Sequence, residues 1–578
     1  MPLSVFDFAD ERGQARRLCF AAPVKIIAAE SVAGVSDALA QVEEAARAGY
    51  YAAGYVAYEA APAFDPALVV RVGAKAPLVW FGIYTAPVPD PSPAPTRPFE
   101  LTDWTPSADP EAYARNFAAA REAIARGDSY QINYTIRLRA RFSGDDFALY
   151  EQLASRQQSA YCAYLNTGRF KILSASPELF FRWHDGRIVT RPMKGTARRG
   201  RWLEEDEAYA SWLANSEKNR AENVMIVDLL RNDLGRIAET GSVRVRDLCT
   251  VERYPTVFQM VSEVEARTRA RTTLGDVFAA LFPCGSVTGA PKISTTRLIA
   301  ALEDSPRGVY CGAVGIVSPG GGAVFNVAIR TVVIHSETGE AEYGVGGGIT
   351  WDSVAEEEYD EALVKAALLT AAPREFELLE TLRLEGGDYT LLARHLARLA
   401  DSARYFDFDF SPEAARDALS DHAARHPYGA QRTRLLAARD GGLRVESEPL
   451  ENPHAGPRPV ALADTPVRRH DPLLCHKTTS REVYDSHRAQ HPDAFDVLLW
   501  NEEGEVTEFT NGNLVAELCG ERLTPARGCG LLAGTMRAEL LERGEIREAM
   551  ITRADLARAT RMWFINSVRG WVGVYLTG

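Results

Sequence analysis

The sequence breaks most sharply between residues 352 and 376. Ser353 and Glu356 stand at capping-box spacing and predict a helix over 352–372, which the apolar run ALVKAALLTAA carries forward and Pro373 stops. A strand-like run, FELLETLRL (376–384), follows and leads into a turn at Glu385-Gly386-Gly387-Asp388. A chain of 578 residues is too long for one compact core. The break therefore reads as a domain boundary at about 372–375, giving domains 1–372 and 376–578. From 110 to 370 strands and helices mix without a βαβ rhythm, which favours α+β over a doubly wound sheet.

Upstream, VSDALAQVEEAARAGYY (35–51) predicts a helix, and YAAGYVAYEAAPAF (51–64) a strand ending in a turn. The run TAPVPDPSPAPTRP (85–98) is held extended by its prolines and reads as a surface connection inside the first domain. A hydrophobic content of 46% and a charged content of 25% are those of an ordinary globular protein. The net charge of −13 argues against nucleic acid as the main partner, because phosphate binding needs a basic surface. No run approaches the roughly 20 apolar residues of a membrane span. The start, MPLSVFDFADERGQARR, lacks the apolar core of a signal peptide, so the expected location is cytoplasmic. The eight cysteines are scattered without a CxxC pair, which points to buried reduced thiols rather than to zinc or disulfides.

Certain polar residues stand out by position. Lys194, in RPMKGTARRG (191–200), is a cation at a strand end, which alone is usually a solvated charge. Glu222 precedes NVMIVDLL, whose Met225, Ile226, Leu229 and Leu230 fall at helical spacing from it. Glu358, Glu361 and Lys365 lie at i, i+3 and i+7 on one helix face. Magnesium takes oxygen ligands and keeps several waters, so one or two carboxylates are enough. Equally, acids at 356–358 near a helix start are favoured by the macrodipole and need only be solvated. In the second half, Lys477 in LCHKTTSREVYD (474–485) is flanked by small polar residues, and Arg398 sits on the amphipathic stretch HLARLADSARYF as a surface charge would. Thr535 and Met536 follow Gly534 at a helix start, where free N–H groups favour a phosphate.

Taken together, SASPELFF (174–181), PMKGT, RAENVMIVDLLRNDLGR (220–236), CGSVTGAPK (284–292) and GGGITWDSVAEEEYDEALVKA (346–366) resemble the chorismate-utilising enzymes over about 110–366. PMKGT resembles the aminodeoxychorismate synthase branch in particular. The resemblance implies magnesium held by Glu222 and Glu358, with Glu361 acting through a water. It implies a chorismate pocket of Gln131, Thr196, Tyr310, Arg330, Gly346 and Lys365, with Glu178 as general acid. Water-using relatives place a lysine base where this chain has Gln131, so ammonia is the implied nucleophile. Anthranilate synthases carry alanine in place of Lys194, which the synthase branch uses as a nucleophile at C2 of the ring. Two positions depart from the pattern: Asn219 stands where relatives usually have an acid, and Phe258-Gln259-Met260 replaces a histidine-containing segment.

ARHLARL (393–399), LCHKTTSREVYD, GEVTEFTNGN (504–513) and LLAGTMRAELL (531–541) resemble fold type IV pyridoxal phosphate enzymes over about 376–578, and NSVRGWVGV (566–574) resembles the C-terminal segment of their lyases. The resemblance makes Lys477 the lysine that carries the cofactor and moves protons. Glu508 then faces the pyridine nitrogen, while Arg398, Thr535 and Met536 hold the phosphate. The implied fold class is α+β: a chorismate-binding-enzyme fold with a β-sheet core and helices outside, followed by a fold type IV α/β domain. The implied activity is amination of chorismate at C4, then elimination of pyruvate to give 4-aminobenzoate. A branched-chain or D-amino-acid aminotransferase in the second half, or an anthranilate synthase-like first half, is the competing expectation. No cysteine nucleophile in a glycine-rich elbow marks a glutaminase, so a separate glutamine amidotransferase subunit is the expected ammonia source. Fold type IV relatives are commonly dimers, which makes a homodimer through the second domain a further expectation.

Overall fold

The computed structural model describes residues 3–10, 15–90, 98–370, 375–450 and 456–577. Pro373, residues 372–374 of the expected boundary and residues 91–97 of the proline-rich run lie outside them. The chain forms two units: Met1–Arg198 with Ala210–Pro373, and Arg199–Tyr209 with Arg374–Gly578.

In the first unit, ten strands make one sheet and nine make another among the described residues, with antiparallel pairing throughout. Phe6, Phe20, Tyr55, Trp80, Tyr161 and Ile172 pack between the sheets. Helices cover the outer faces, one against a cluster with Ile226, Leu230 and Phe278, the other against Phe117, Leu149 and Leu368. This is the expected sheet core with helices outside, and the antiparallel pairing is what the missing βαβ rhythm foretold. The strands that carry the site are β1 (Gln131–Gly144), β2 (Leu179–His184) and β3 (Met193–Arg198), and the first site helix is α1 (Glu217–Gly235). They are followed by β4 (Thr250–Arg253), β5 (Val257–Val261), β6 (Glu340–Ile349) and α2 (Ala355–Thr370). β3, β5 and β4 form a small sheet of their own.

Period-two alternation explains how β1 serves core and site at once. Ile132, Tyr134, Ile136, Leu138 and Ala140 join the cluster beneath the helices, which turns Gln131, Asn133, Thr135 and Arg137 to the opposite face. Helix α2 divides similarly: Ala362 and Leu368 are buried, while Glu358, Glu361 and Lys365 share the other face. The expected capping box is not what starts this helix. Ser353 donates its hydroxyl to Glu358 Oε1 (2.7 Å) rather than pairing with Glu356, and the helix begins only at Ala355. Ser353 Oγ also accepts from Thr350 N (3.1 Å), so the serine serves the turn before the helix and not its N-cap.

The second unit has a four-stranded antiparallel sheet and an eight-stranded mixed sheet. Its elements include β7 (Leu378–Glu385), α3 (Leu392–Phe406), β8 (Arg458–Leu462), α4 (Glu482–Gln490) and β9 (Asp496–Trp500). Further on come β10 (Val506–Phe509), α5 (Thr535–Glu542), β11 (Arg561–Asn566) and β12 (Gly570–Leu576). Residues 199–209 form a strap within this unit. Tyr405 OH donates to Gly200 O (2.6 Å) beneath the Arg199 guanidinium, Arg201 Nη1 donates to Gly528 O (2.7 Å), and Arg201 and Arg527 both lie over the Trp202 ring. All eight cysteines are free, seven buried and Cys519 exposed. Among the described residues no helix is long and apolar enough to cross a membrane.

Candidate active sites

Lys194 is aimed by a β-bulge. Met193 pairs with Val261 and Thr196 with Gln259, so Lys194 and Gly195 together face one residue of β5. Gly195 has φ +94°, and a Cβ there would lie 3.0 Å from that of Asn219, so glycine is required. Asn223 Nδ2 donates to Lys194 O (3.3 Å), Gln259 Nε2 donates to Gly195 O (2.8 Å), and Thr196 Oγ1 donates to Gln259 Oε1 (3.1 Å). Of the departing positions, Gln259 in the 258–260 segment braces the bulge, while Asn219 bonds to Ser216 Oγ (2.8 Å) and packs against Gly195. Sequence alone could not assign Gln259 this work, because the bulge depends on strand register.

The lysine enters a cavity of about 470 Å³ lined by Glu178, Thr196, Glu222, Tyr310, Arg330, Gly346, Glu358, Glu361 and Lys365. One wall is the glycine run of β6. A Cβ on Gly344 would run into the Tyr310 ring, one on Gly347 would lie 2.7 Å from Glu358 Oε2, and one on Gly348 would strike Gln131 Nε2 and approach Lys194 Nζ to 2.7 Å. The missing side chains are what let these four groups converge. Gln131 is fully buried, and its amide oxygen and nitrogen both lack a partner. An unmet buried amide costs about 1–3 kcal/mol, which the polar groups of a ligand would relieve. Gly348→Ala should therefore leave the thermal unfolding midpoint within about 3 °C yet remove most turnover at this cavity. A melting curve beside a rate assay checks both.

Burial shapes the charges. Desolvation lowers the Lys194 amine from its ordinary value against the opposing pull of Glu222. It raises Glu178 to about 7, and Glu178 Oε1 has no partner. Glu222 and Glu358 are raised by burial and by the charge of Glu361, whereas Glu361 is lowered by Lys365, 2.8 Å away. Among the described residues no three acidic, histidine or cysteine side chains are close enough to enclose a metal by themselves. Two strained carboxylates on an open cavity still fit a magnesium ion that keeps waters and shares its ligands with a substrate. Lys365 Nζ also donates to Gly346 O (2.9 Å), and Arg330 Nη1 to Lys365 O (3.3 Å). Tyr310 lies under the Arg137 guanidinium, itself buried with Glu303 and Arg307.

The second cavity, of about 540 Å³, is lined by Lys477, Arg398, Glu508 and Thr535. Desolvation, then the charges of Arg481 and Arg398, lower Lys477 to about 7. Glu508 is raised to about 8 by burial although it accepts from Tyr484 OH (2.9 Å) and Leu532 N (3.1 Å). A cationic ring nitrogen would relieve that desolvation, which is the fit a pyridinium requires. Arg398 is more than a surface charge: its fork holds Glu380 (2.8 and 2.7 Å) and its remaining nitrogen reaches Ala533 O (3.2 Å). Glu380 also binds His395, which reaches Thr535 and Ser567. α5 starts at Thr535 with its first backbone bond from Ala538 to Gly534, leaving the N–H groups of Thr535 and Met536 for a phosphate. The Met536 side chain packs beside Val515, Leu540 and Ile565, so only its backbone can serve. Tyr484, Glu380 and His395 carried no signal in the sequence that marked them.

The family model for chorismate binding enzymes matches residues 7–371, and the chain belongs to that family. The model for class IV amino-transferases matches residues 377–576, so the chain joins a chorismate-binding domain to a domain of the fold type IV, pyridoxal phosphate class. Anthranilate synthase component 1 of Aquifex aeolicus is 40% identical over 273 residues, 47% of this chain and 55% of that protein. Aminodeoxychorismate synthase component 1 of Klebsiella aerogenes is 39% identical over 292 residues, 50% of this chain and 63% of that protein. The chain thus spans little more than half the length of the curated relatives it matches. Anthranilate synthase component I from Streptococcus pneumoniae superposes with a TM-score of 0.52 at 27% identity, over 64% of this chain and 90% of that one. The two kinds of relative are equally similar overall, so individual residues must separate them.

Proposed function

We propose that the chain makes 4-aminobenzoate, its first unit aminating chorismate at C4 and its second expelling pyruvate, with domains 1–372 and 376–578 as the two catalytic parts. The observation that carries this reading is Lys194 Nζ, lowered by burial and set beside Gln131 on the Gly348 backbone. An amine must be neutral to attack, and desolvation favours that form. Arg330, Tyr310 and Lys365 supply cationic and hydroxyl donors for the substrate's carboxylates. A magnesium ion bound by Glu222 and Glu358, with Glu361 through a water, would supply further positive charge for the ring carboxylate. Lys194 adds to C2, the double bonds shift, and the C4–O bond breaks, with Glu178 giving its proton so that water leaves. Ammonia then adds at C4, the double bonds shift back, and the C2–N bond breaks to free the lysine. Gln131 cannot take a proton from water, which disfavours hydroxylation here. A separate glutamine amidotransferase subunit supplies the ammonia.

In the second unit pyridoxal phosphate, when bound, provides the electron sink for chemistry at the amine-bearing carbon. Lys477, neutral above about 7, takes the proton at C4 of the ring. Loss of the enolpyruvyl oxygen from C3 then leaves an aromatic ring, and pyruvate departs. Glu508 would keep the cofactor's pyridine nitrogen charged, and the N–H groups at the start of α5, with Arg398, would hold its phosphate.

The test is product analysis by mass spectrometry of the protein with chorismate, ammonium, magnesium and pyridoxal phosphate. Free 4-aminobenzoate with pyruvate supports both halves. Anthranilate would overturn the first, and aminodeoxychorismate accumulating alone would hand the second to an aminotransferase. A pH profile adds a sharper check. The general acid must be protonated, so amination should fall as pH rises through about 7, where Glu178 loses its proton. Glu178→Gln should lower the rate about 10²–10⁴-fold and abolish that alkaline limb.

A further inference from the structure

Six arginines line the Lys477 cavity among the described residues, and four are committed. Arg398 is held by Glu380, Arg432 by Glu448, Arg488 by Phe495 O and Asp496, and Arg481 by Thr510 O and Asn511. Arg458 and Arg569 have no carboxylate partner among the described residues. Each guanidinium instead lies 5.3 Å from the centroid of the same ring, Phe495. Stacking uses the face of a guanidinium and leaves its in-plane N–H donors free. Arg458 Nε, moreover, is buried without a partner among the described residues.

Both residues are placed by built features. Arg458 opens β8, and Phe495 N donates to Pro459 O (2.7 Å), which seats the ring beside it. Arg569 sits in the turn between β11 and β12, where Asn566 Oδ1 accepts from Val568 N (3.1 Å) and Arg569 N (2.8 Å). NSVRG is thus a turn that presents an arginine to the cavity. The ring they share packs edge-on against Phe564.

We propose that Arg458 and Arg569 form a carboxylate-recognition site, and that it takes the carboxylate lying para to the reacting amine of the second unit's substrate. The proposal rests on the lyase reading and sharpens it. In a six-membered ring bearing a C4 amine and a C1 carboxylate, the two groups point in opposite directions. An amine engaged near Lys477 therefore sends its carboxylate to the far side of the cavity. An α-amino acid differs, since its carboxylate is on the amine-bearing carbon itself and needs a cation close to Lys477. The arginines whose charges act most on Lys477 are Arg481 and Arg398, both committed, and not the free pair. The uncommitted cations are not among the charges that act most on Lys477, which suits a carboxylate held away from the amine.

The test uses the full chain loaded with pyridoxal phosphate, with 4-aminobenzoate and its neutral isostere 4-aminobenzamide as calorimetric probes. Wild type should bind the carboxylate at least about tenfold tighter than the amide. Arg458→Met and Arg569→Met should each lose about tenfold for the carboxylate alone, and the double variant should lose the preference. The KM for aminodeoxychorismate should rise with kcat little changed, as loss of uniform binding requires. Unchanged cofactor absorbance shows that the variants are folded. No preference in wild type, or a preference that survives both substitutions, overturns the site. If wild type yields no 4-aminobenzoate while the preference still depends on the arginines, the lyase reading falls and the site stands. If it yields 4-aminobenzoate and the variants keep their KM, the site falls and the reading stands.

Discussion

Lys194→Ala is expected to stop amination of chorismate, lowering the initial rate with ammonium by at least about a thousandfold, as loss of a nucleophile does elsewhere. The variant should still bind chorismate, because Arg330, Lys365 and the carboxylates keep their places on the cavity. Lys194→Arg should not rescue it, since a guanidinium stays protonated and cannot attack. Calorimetry with chorismate beside a rate assay separates the two effects. A Lys194→Ala protein that aminates C4 at near wild-type rate would remove the covalent role. Production of anthranilate by that variant would instead show that Lys194 selects C4 over C2.

Lys477→Ala should abolish the visible absorbance of bound cofactor and lower formation of 4-aminobenzoate by at least about a thousandfold, with aminodeoxychorismate accumulating. Amination should hold within about twofold, because no residue lining the first cavity is altered. The sign of the pH effect follows from burial. Lys477 is lowered to about 7, so its reactive neutral form prevails above that pH and is lost below it. Uptake of pyridoxal phosphate by the cofactor-free protein should slow about tenfold for each pH unit below 7, which stopped-flow absorbance measures. Unchanged 4-aminobenzoate output from Lys477→Ala would sink the lyase assignment.

Lys194 and Lys477 were singled out in the sequence by the families that the motifs around them resemble, and each lines a cavity in the structure. The helix after Glu222 was legible from its apolar spacing, and the mixed class of the first domain from the missing βαβ rhythm. What sequence could not supply was register. The bulge that turns Lys194 into its cavity exists only because β3 slips by one residue against β5. The wall of Gly344, Gly347 and Gly348 matters for what would strike it from elsewhere in the chain, and only Gly346 of that run was anticipated. Ser353 was misjudged as a cap because its partners, Glu358 and Thr350 N, are chosen by geometry. Arg398 looked like a surface charge because Glu380 lies on another element, β7.

The strap at 199–209 bears on how the protein comes to be folded at all. These residues are synthesised with the first half of the chain but complete the second unit, where Tyr405 and Gly528 bind them. On the ribosome the strap emerges long before the partners it needs. Its arginines and Trp202 must wait until Arg527 and Gly528 have been made. A translation pause between the two halves would prolong that wait, and a second unit expressed from residue 376 onward would be born without a piece of itself.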